Sequence, residues 1–205
     1  MSACAKPYSA ASDENKEPIL AVIQPLFSQA RRLLEIGSGT GQHAIYFSAA
    51  MPHLIWQASE LPDQLPGLHA WLDEATRPNL PSPLALDVLG TWPGDSFDAV
   101  FSANTAHIMT VEAVAAMVRG VGAVLAPGGY FALYGPFNES GRYTSDSNRR
   151  FDAWLKSQDP RMGLRDLGDL QALADRHGLD FVRSEPMPVN NLTLIWCRRG
   201  CRVAD

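Results

Sequence analysis

The stretch "LLEIGSGTGQH", Leu33 to His43, limits most sharply what this chain can fold into. An apolar run breaks there into Gly37, Gly39 and Gly41, spaced two apart, and then enters a segment of helical period. That pattern reads as a strand turning into a helix on bare backbone. Glycines at such a turn let the chain reverse tightly and let a ligand approach the main chain. In open α/β sheets this carboxyl edge of the strands is where ligands bind.

The alternation of strand and helix continues along all 205 residues, a length usual for one domain. Residues 1–15 read as extended or loop, and "NKEPILAVIQPLF" as a helix with Pro18 in its first turn and Pro25 at its kink or end. After the glycine turn, "TGQHAIYFSAAMP" predicts a helix with Ala44, Ile45, Phe47 and Ser48 facing inward. "LIWQASE", "SPLALDVL", "SFDAVFSANTAHI" and "YFALYGPF" read as further strands, with helices at "LPGLHAWLDEAT" and "TVEAVAAMVRGVGAVLAPGG" between them. Thr110 suits the N-cap of the second of these helices, and Gly128 falls beyond its end. Strands alternating with helices predict a parallel sheet with right-handed crossovers. The end of the chain differs. "DLGDLQALADRHGL" is a helix stopped by Gly178, and "DFVRSEPMP" and "NNLTLIWCRR" follow with only a short turn between them. That connection is too short for a parallel crossover, so the two strands pair antiparallel.

The glycine turn also selects its ligand. Dinucleotide-binding folds use G-x-G-x-x-G, and here the sixth position is Gln42. Glu35 stands just before the turn, where a carboxylate would repel a pyrophosphate and suit an amino group. A nicotinamide dehydrogenase is therefore disfavoured, and S-adenosylmethionine, with its adenosine, sulfonium and amino-acid end, fits better. Glu60 closes the next strand, where an acid accepts hydrogen bonds from both ribose hydroxyls. Asp87 closes the third strand, within reach of an adenine amino group or, alternatively, as a turn cap. Asn104 borders the methionine end, and His107 faces the crevice mouth as a general base or as a histidine that closes the site.

The succession "LLEIGSGTGQH", "ASE", "LALDV", "FDAVFSANTAHI" and "LAPGGYFALYGPF" resembles a class I S-adenosylmethionine-dependent methyltransferase. More narrowly, "NKEPIL", "SGTGQHA", "YGPFNESGRYTSDSNRRFDAWLKSQDPRMGLRDL" and "VNNLTLIW" resemble a little-characterised family of methyltransferase-like proteins without an established substrate. The resemblance implies an α/β fold: a Rossmann-like three-layer sandwich with a seven-stranded, mostly parallel sheet and an antiparallel C-terminal strand. It implies a single domain over 1–205 that binds S-adenosylmethionine through Glu35, Gly37, Gly39, Gly41, Glu60, Asp87 and Asn104. "SANTAHI" stands where amino-methylating enzymes of DNA bases or glutamine carry Asn-Pro-Pro-Tyr or Asp-Pro-Pro-Tyr, which speaks against those reactions.

Residues 134–166 read as the least structural part of the chain and as a substrate rim, with Tyr134, Arg142, Tyr143, Ser147 and Asn148 as contacts. By analogy with the fold, residues 1–17 would close over the site as a lid, using Asn15, Lys16 and Glu17. The other histidines, His43, His53, His69 and His177, fall on separate elements without metal-ligand spacing, so no metal is expected. The formal net charge is −5 and the 17 basic residues are scattered, which disfavours nucleic acid as a partner and favours a small molecule. No apolar run approaches a membrane span and no secretion signal stands at the N-terminus. Cys4, Cys197 and Cys201 read as reduced thiols of a cytoplasmic protein. Oligomeric state is not legible. The expected activity is methyl transfer to a small molecule, with His107 as the catalytic candidate; the alternative is a non-catalytic S-adenosylmethionine-binding protein acting through partners.

Overall fold

Consecutive apolar residues along a strand point to opposite faces, so both faces must be buried, as they are when helices cover both sides. In β1 (Arg32–Ile36), Leu33 packs under one helical layer, and Leu34 and Ile36 pack under the other. The computed structural model describes residues 6–200. Before β1 stands α1 (Ala10–Leu26). After it come α2 (Gln42–Ala50), β2 (Ile55–Glu60), α3 (Leu65–Ala75), β3 (Leu84–Ala85), β4 (Phe97–Ala103) and α4 (Val111–Val124). The chain continues with β5 (Leu125–Gly135), β6 (Phe137–Glu139), β7 (Arg142–Tyr143), α5 (Asp146–Gln158) and β8 (Arg165–Asp166). It closes with α6 (Leu167–Arg176), β9 (Leu179–Met187) and β10 (Asn191–Arg198).

The main sheet has seven strands in the order β3-β2-β1-β4-β5-β10-β9. β10 runs antiparallel to both its neighbours, and the other pairings are parallel. Only Pro188–Asn190 separate β9 from β10, which enforces the reversal. Ile19 and Ile23 of α1, Phe47 of α2 and Leu68 of α3 bury Leu33, Trp56, Phe101 and Ala132 on one face. Met117 and Val121 of α4 and Leu170 of α6 bury Leu34, Val100, Phe131 and Trp196 on the other. The result is the three-layer, Rossmann-like sandwich with one reversed strand that the sequence implies.

Several local expectations are corrected. α1 begins at Ala10, earlier than expected, because Ser9 caps it by accepting from Ser12 N at 3.1 Å. Pro18 therefore lies inside the helix, while Pro25 sits in its last turn. The third strand shrinks to Leu84–Ala85, as suits a sheet edge. β5 starts at Leu125, so the preceding helix is shorter than expected; Thr110 caps it as predicted, accepting from Ala113 N. Ile45 is only half-buried, unlike Ala44, Phe47 and Ser48. Cys197, expected as a reduced thiol, is disulfide-bonded; Cys4 and Cys201 lie outside the described residues.

The largest correction concerns 134–166. This segment carries a three-stranded sheet, in the order β7-β6-β8, and the 13-residue helix α5. Ser145 caps α5 by accepting from Asn148 N at 3.1 Å. The inward face of α5 consists of Asn148, Asp152 and Leu155, so most of it is polar and its helical period is masked in an apolarity pattern. Asp152 holds the helix down by accepting from Leu164 N (2.8 Å), Tyr143 OH (2.7 Å) and Lys156 Nζ (2.6 Å). Among the described residues, no helix is long and apolar enough to cross a membrane.

Candidate functional site

The carboxyl ends of β1 to β5 open onto a cavity of about 980 Å³. That is the upper end of the range, about 300–1,000 Å³, usual for small-molecule sites. Its wall runs from Asp87 past Glu60 and the glycine turn to Asn104, His107 and Tyr134. The N-terminal turns of α1, the start of α5 and the turn between β9 and β10 complete it.

Each glycine of the turn has its own reason. All three have positive φ, +69° at Gly37, +56° at Gly39 and +88° at Gly41. A Cβ on Gly37 would stand 2.6 Å from Thr105 Cγ2, and one on Gly41 would stand 2.7 Å from Leu72 Cδ1. A Cβ on Gly39 would meet no protein atom within 4 Å. Gly39 thus presents bare backbone to the cavity, while Gly41 is small because α3 packs against it.

Glu60 stands at the rim of this turn. Its two carboxylate oxygens accept from Gly39 N at 2.7 Å and from Leu61 N at 2.8 Å. Asp87 lines the cavity and also closes a turn, accepting from Leu89 N at 2.9 Å. Asn104 lines the cavity with φ of +59°, a conformation a non-glycine residue rarely adopts. Glu35 does not reach the cavity wall. It is 1% exposed beneath the turn and accepts from Ser38 Oγ and Trp56 Nε1, each at 2.8 Å. Burial pushes its carboxyl up to about 7, against those two hydrogen bonds and with a small addition from Glu60.

His107 lines the cavity and is 7% exposed. Burial, aided by the nearby Arg165 guanidinium, pushes its imidazole down to about 4, so it is neutral at pH 7. Arg165 itself fixes the loop carrying His107, donating to the carbonyls of Ala106 and Met109. Among the described residues, nothing hydrogen-bonds to the His107 ring, which packs edge-on against Phe151 with centroids 5.2 Å apart. His43 and Asn15 form a pair that the sequence did not disclose. His43 Nε2 donates to Asn15 Oδ1 at 2.7 Å. Burial pushes the Tyr134 hydroxyl pKa up, with Asn15 and Asn191 acting against that rise. Burial lowers the His43 imidazole to about 4.

The expected lid and rim divide. Ser9, Ser12 and Asn15 lie in the cavity wall, and Gln42, the residue that broke the dinucleotide pattern, pins them there. Gln42 Oε1 accepts from Ser9 N at 2.7 Å and its Nε2 donates to Ser9 O at 3.2 Å. Lys16 points away and pairs with Asp13. Ser147 and Asn148 line the cavity, and Asn148 Nδ2 donates to Asn190 O at 3.0 Å. Arg142 and Tyr143 lie outside its wall, Tyr143 being committed to Asp152. Phe151, Val189 and Asn191 join the site without having been expected there. Phe151 is hidden because the polar inward face of α5 conceals the helix; Val189 and Asn191 come from strand ends remote in sequence. Among the described residues, no three His, Cys, Asp or Glu side chains converge on a metal position.

Residues 6–198 match the model of a family described as "Protein of unknown function (DUF938)". Among solved structures, an O-methyltransferase family protein from Burkholderia thailandensis superposes with a TM-score of 0.80 at 15% identity, over 90% of this chain and 56% of that one. The S-adenosylmethionine-dependent methyltransferase SibL, in its apo form, gives 0.79 at 21% identity over 93% and 56%. The mitomycin 7-O-methyltransferase MmcR gives 0.81 at 20% identity over 93% and 54%. This chain therefore spans about half the length of the structures it matches. At such identities the likeness is one of fold, and the fold is that of the class I methyltransferases.

Proposed function

This chain belongs to the DUF938 family, and we propose that it is an S-adenosylmethionine-dependent methyltransferase acting on a small-molecule acceptor. The observation that carries the reading is the open Cβ position of Gly39, facing a cavity that also holds Glu60, Asp87 and Asn104. Bare backbone and strand-end acids in this arrangement suit a nucleoside with an amino-acid end and no phosphate. Glu60 would accept from the ribose hydroxyls, Asp87 from the adenine amino group, and Asn104 would border the methionine end. Gly37 and Gly41 shape the turn, while Glu35 supports it from beneath through Ser38. When bound, S-adenosylmethionine supplies a methyl group on a sulfonium, whose transfer to a nucleophile leaves a neutral thioether.

The remaining work falls to the protein. Ser9 to Asn15 and the start of α5 exclude water from the cavity and orient the acceptor. An imidazole nitrogen of His107 receives the acceptor's proton. A base held down to about 4 takes a proton late, once bond formation has made the acceptor strongly acidic. Tyr134 and Asn15 line the same wall and would hold the acceptor's polar end.

Calorimetric titration of S-adenosylmethionine, S-adenosylhomocysteine and NAD tests the reading. We expect micromolar binding of the first two and none of NAD. Glu60→Gln, melted alongside to check the fold, should weaken binding by about 1.5–3 kcal/mol, roughly ten- to a hundredfold. Binding of NAD alone would overturn the proposal. Binding without any transfer of a labelled methyl group to a metabolite extract would favour a non-catalytic binding protein.

A further inference from the structure

The cavity is chemically lopsided. Its charged lining side chains are Glu14, Glu60 and Asp87, and among the described residues no lysine or arginine lines it. Glu60 and Asp87 belong to the β2–β3 half, and Glu14 is exposed on α1. The opposite half, beyond β4 and β5, is built from neutral groups: His107, Pro136, Asn148, Phe151 and Val189. Arg165, the cation that acts on His107, is spent on backbone carbonyls of Ala106, Met109 and Arg161.

This neutral half is held firmly. Asn148 Nδ2 donates to Asn190 O at 3.0 Å, and Asn190 Nδ2 donates to Ser147 Oγ at 3.1 Å, so α5 and the turn between β9 and β10 clasp each other. Val189, a β-branched residue, has φ of +59° and is 78% exposed at the mouth. Backbone strain of that kind persists where its surroundings impose it, and it concentrates at ligand sites. Phe151 lies between His107 inside the cavity and Trp154 outside. It meets His107 edge-on, and it stacks on Trp154 at 5.8 Å and 15°. Trp154 is 55% exposed, so an aromatic ladder runs from the reaction end of the cavity to solvent.

We infer that this half is the acceptor subsite and that it takes an uncharged, planar, largely apolar molecule with one polar end directed at His107. The inference rests on the methyltransferase reading for its chemistry. Its physical basis stands separately: a wall of aromatic and apolar groups binds ring faces. An acceptor bearing a carboxylate or phosphate would bury that charge beside neutral groups, without a partner.

The test is a pair of probes that differ by one charge, 2-naphthol and 6-hydroxy-2-naphthoate, titrated calorimetrically into the full chain saturated with S-adenosylhomocysteine. The expected result is that 2-naphthol binds at least about tenfold tighter than the carboxylate. Phe151→Leu and Phe151→Ala should weaken 2-naphthol progressively, about tenfold for alanine, with affinity for S-adenosylhomocysteine unchanged. Val189→Arg, an exposed change that spares the fold, should narrow the gap between the probes. Equal binding of both probes, or a Phe151→Ala protein that retains its fold and binds 2-naphthol as wild type does, overturns the inference. If S-adenosylhomocysteine itself fails to bind, the cofactor reading falls, and the same probe comparison on the protein alone still decides the subsite.

Discussion

Glu35 offers a pH-dependent test of how the glycine turn is supported. It sits in the middle of the sheet, 1% exposed, and burial pushes its carboxyl from 4.5 to about 7. The folded state therefore holds this proton more tightly than the unfolded chain does. Its contribution to stability is fully present below pH 4.5 and is lost as pH rises through about 7. Each tenfold change in proton affinity corresponds to about 1.4 kcal/mol, so the penalty above pH 7 is roughly 3 kcal/mol. Glu35→Gln keeps an oxygen to accept from Ser38 Oγ and Trp56 Nε1 and cannot ionise. Urea unfolding of both proteins at pH 5 and pH 8.5 measures the effect. The variant should be close to wild type at pH 5 and more stable by up to about 3 kcal/mol at pH 8.5. His43 and His107 are present in both proteins, so their contributions cancel in the difference. A stability difference that does not change between the two pH values would refute the reasoning.

The paired glycines should separate packing from ligand binding. Gly39→Ala should cost roughly 1–2 kcal/mol for its left-handed backbone and abolish tight nucleoside binding, whereas Gly41→Ala adds a clash with Leu68 and Leu72 and should cost roughly 2–4 kcal/mol in denaturant melts. A Gly39→Ala protein that is the less stable of the two would contradict this assignment. His43 and His107, both held down to about 4, contribute stability that is fully present above pH 6.5 and is lost as pH falls through about 4. Imidazole proton shifts followed by NMR should show both still neutral at pH 5, and midpoints near 6.5 would refute their burial. Asp152→Ala strands the buried Leu164 N–H and should destabilise by about 1–3 kcal/mol, with Asp152→Asn intermediate. Equal melts for wild type and both variants would mean that Asp152 does not hold α5.

Much of the frame was legible because it follows from local rules. The glycine turn, the strand-end acids Glu60 and Asp87 and the short turn between β9 and β10 are read residue by residue, and each limits the chain without reference to distant partners. Residue type and sequence neighbourhood alone suggest Lys16, Arg142 and Tyr143, and the structure spends Lys16 and Tyr143 on Asp13 and Asp152 instead. Helix α5 was hidden because Asp152 and Asn148 occupy its inward face, and their burial makes sense only with Leu164 N and Asn190 O beside them.

The sequence by itself determined the alternation, the reversed strand and the place on the sheet where a ligand could meet bare backbone, since these depend on periodicity and on the absence of Cβ atoms. Tertiary structure decided which polar groups face the cavity. Gln42 could be known as the anchor of Ser9, and Phe151 as a partner of His107, only once elements far apart in sequence were brought together, because burial and hydrogen-bond pairing are properties of the assembled layers.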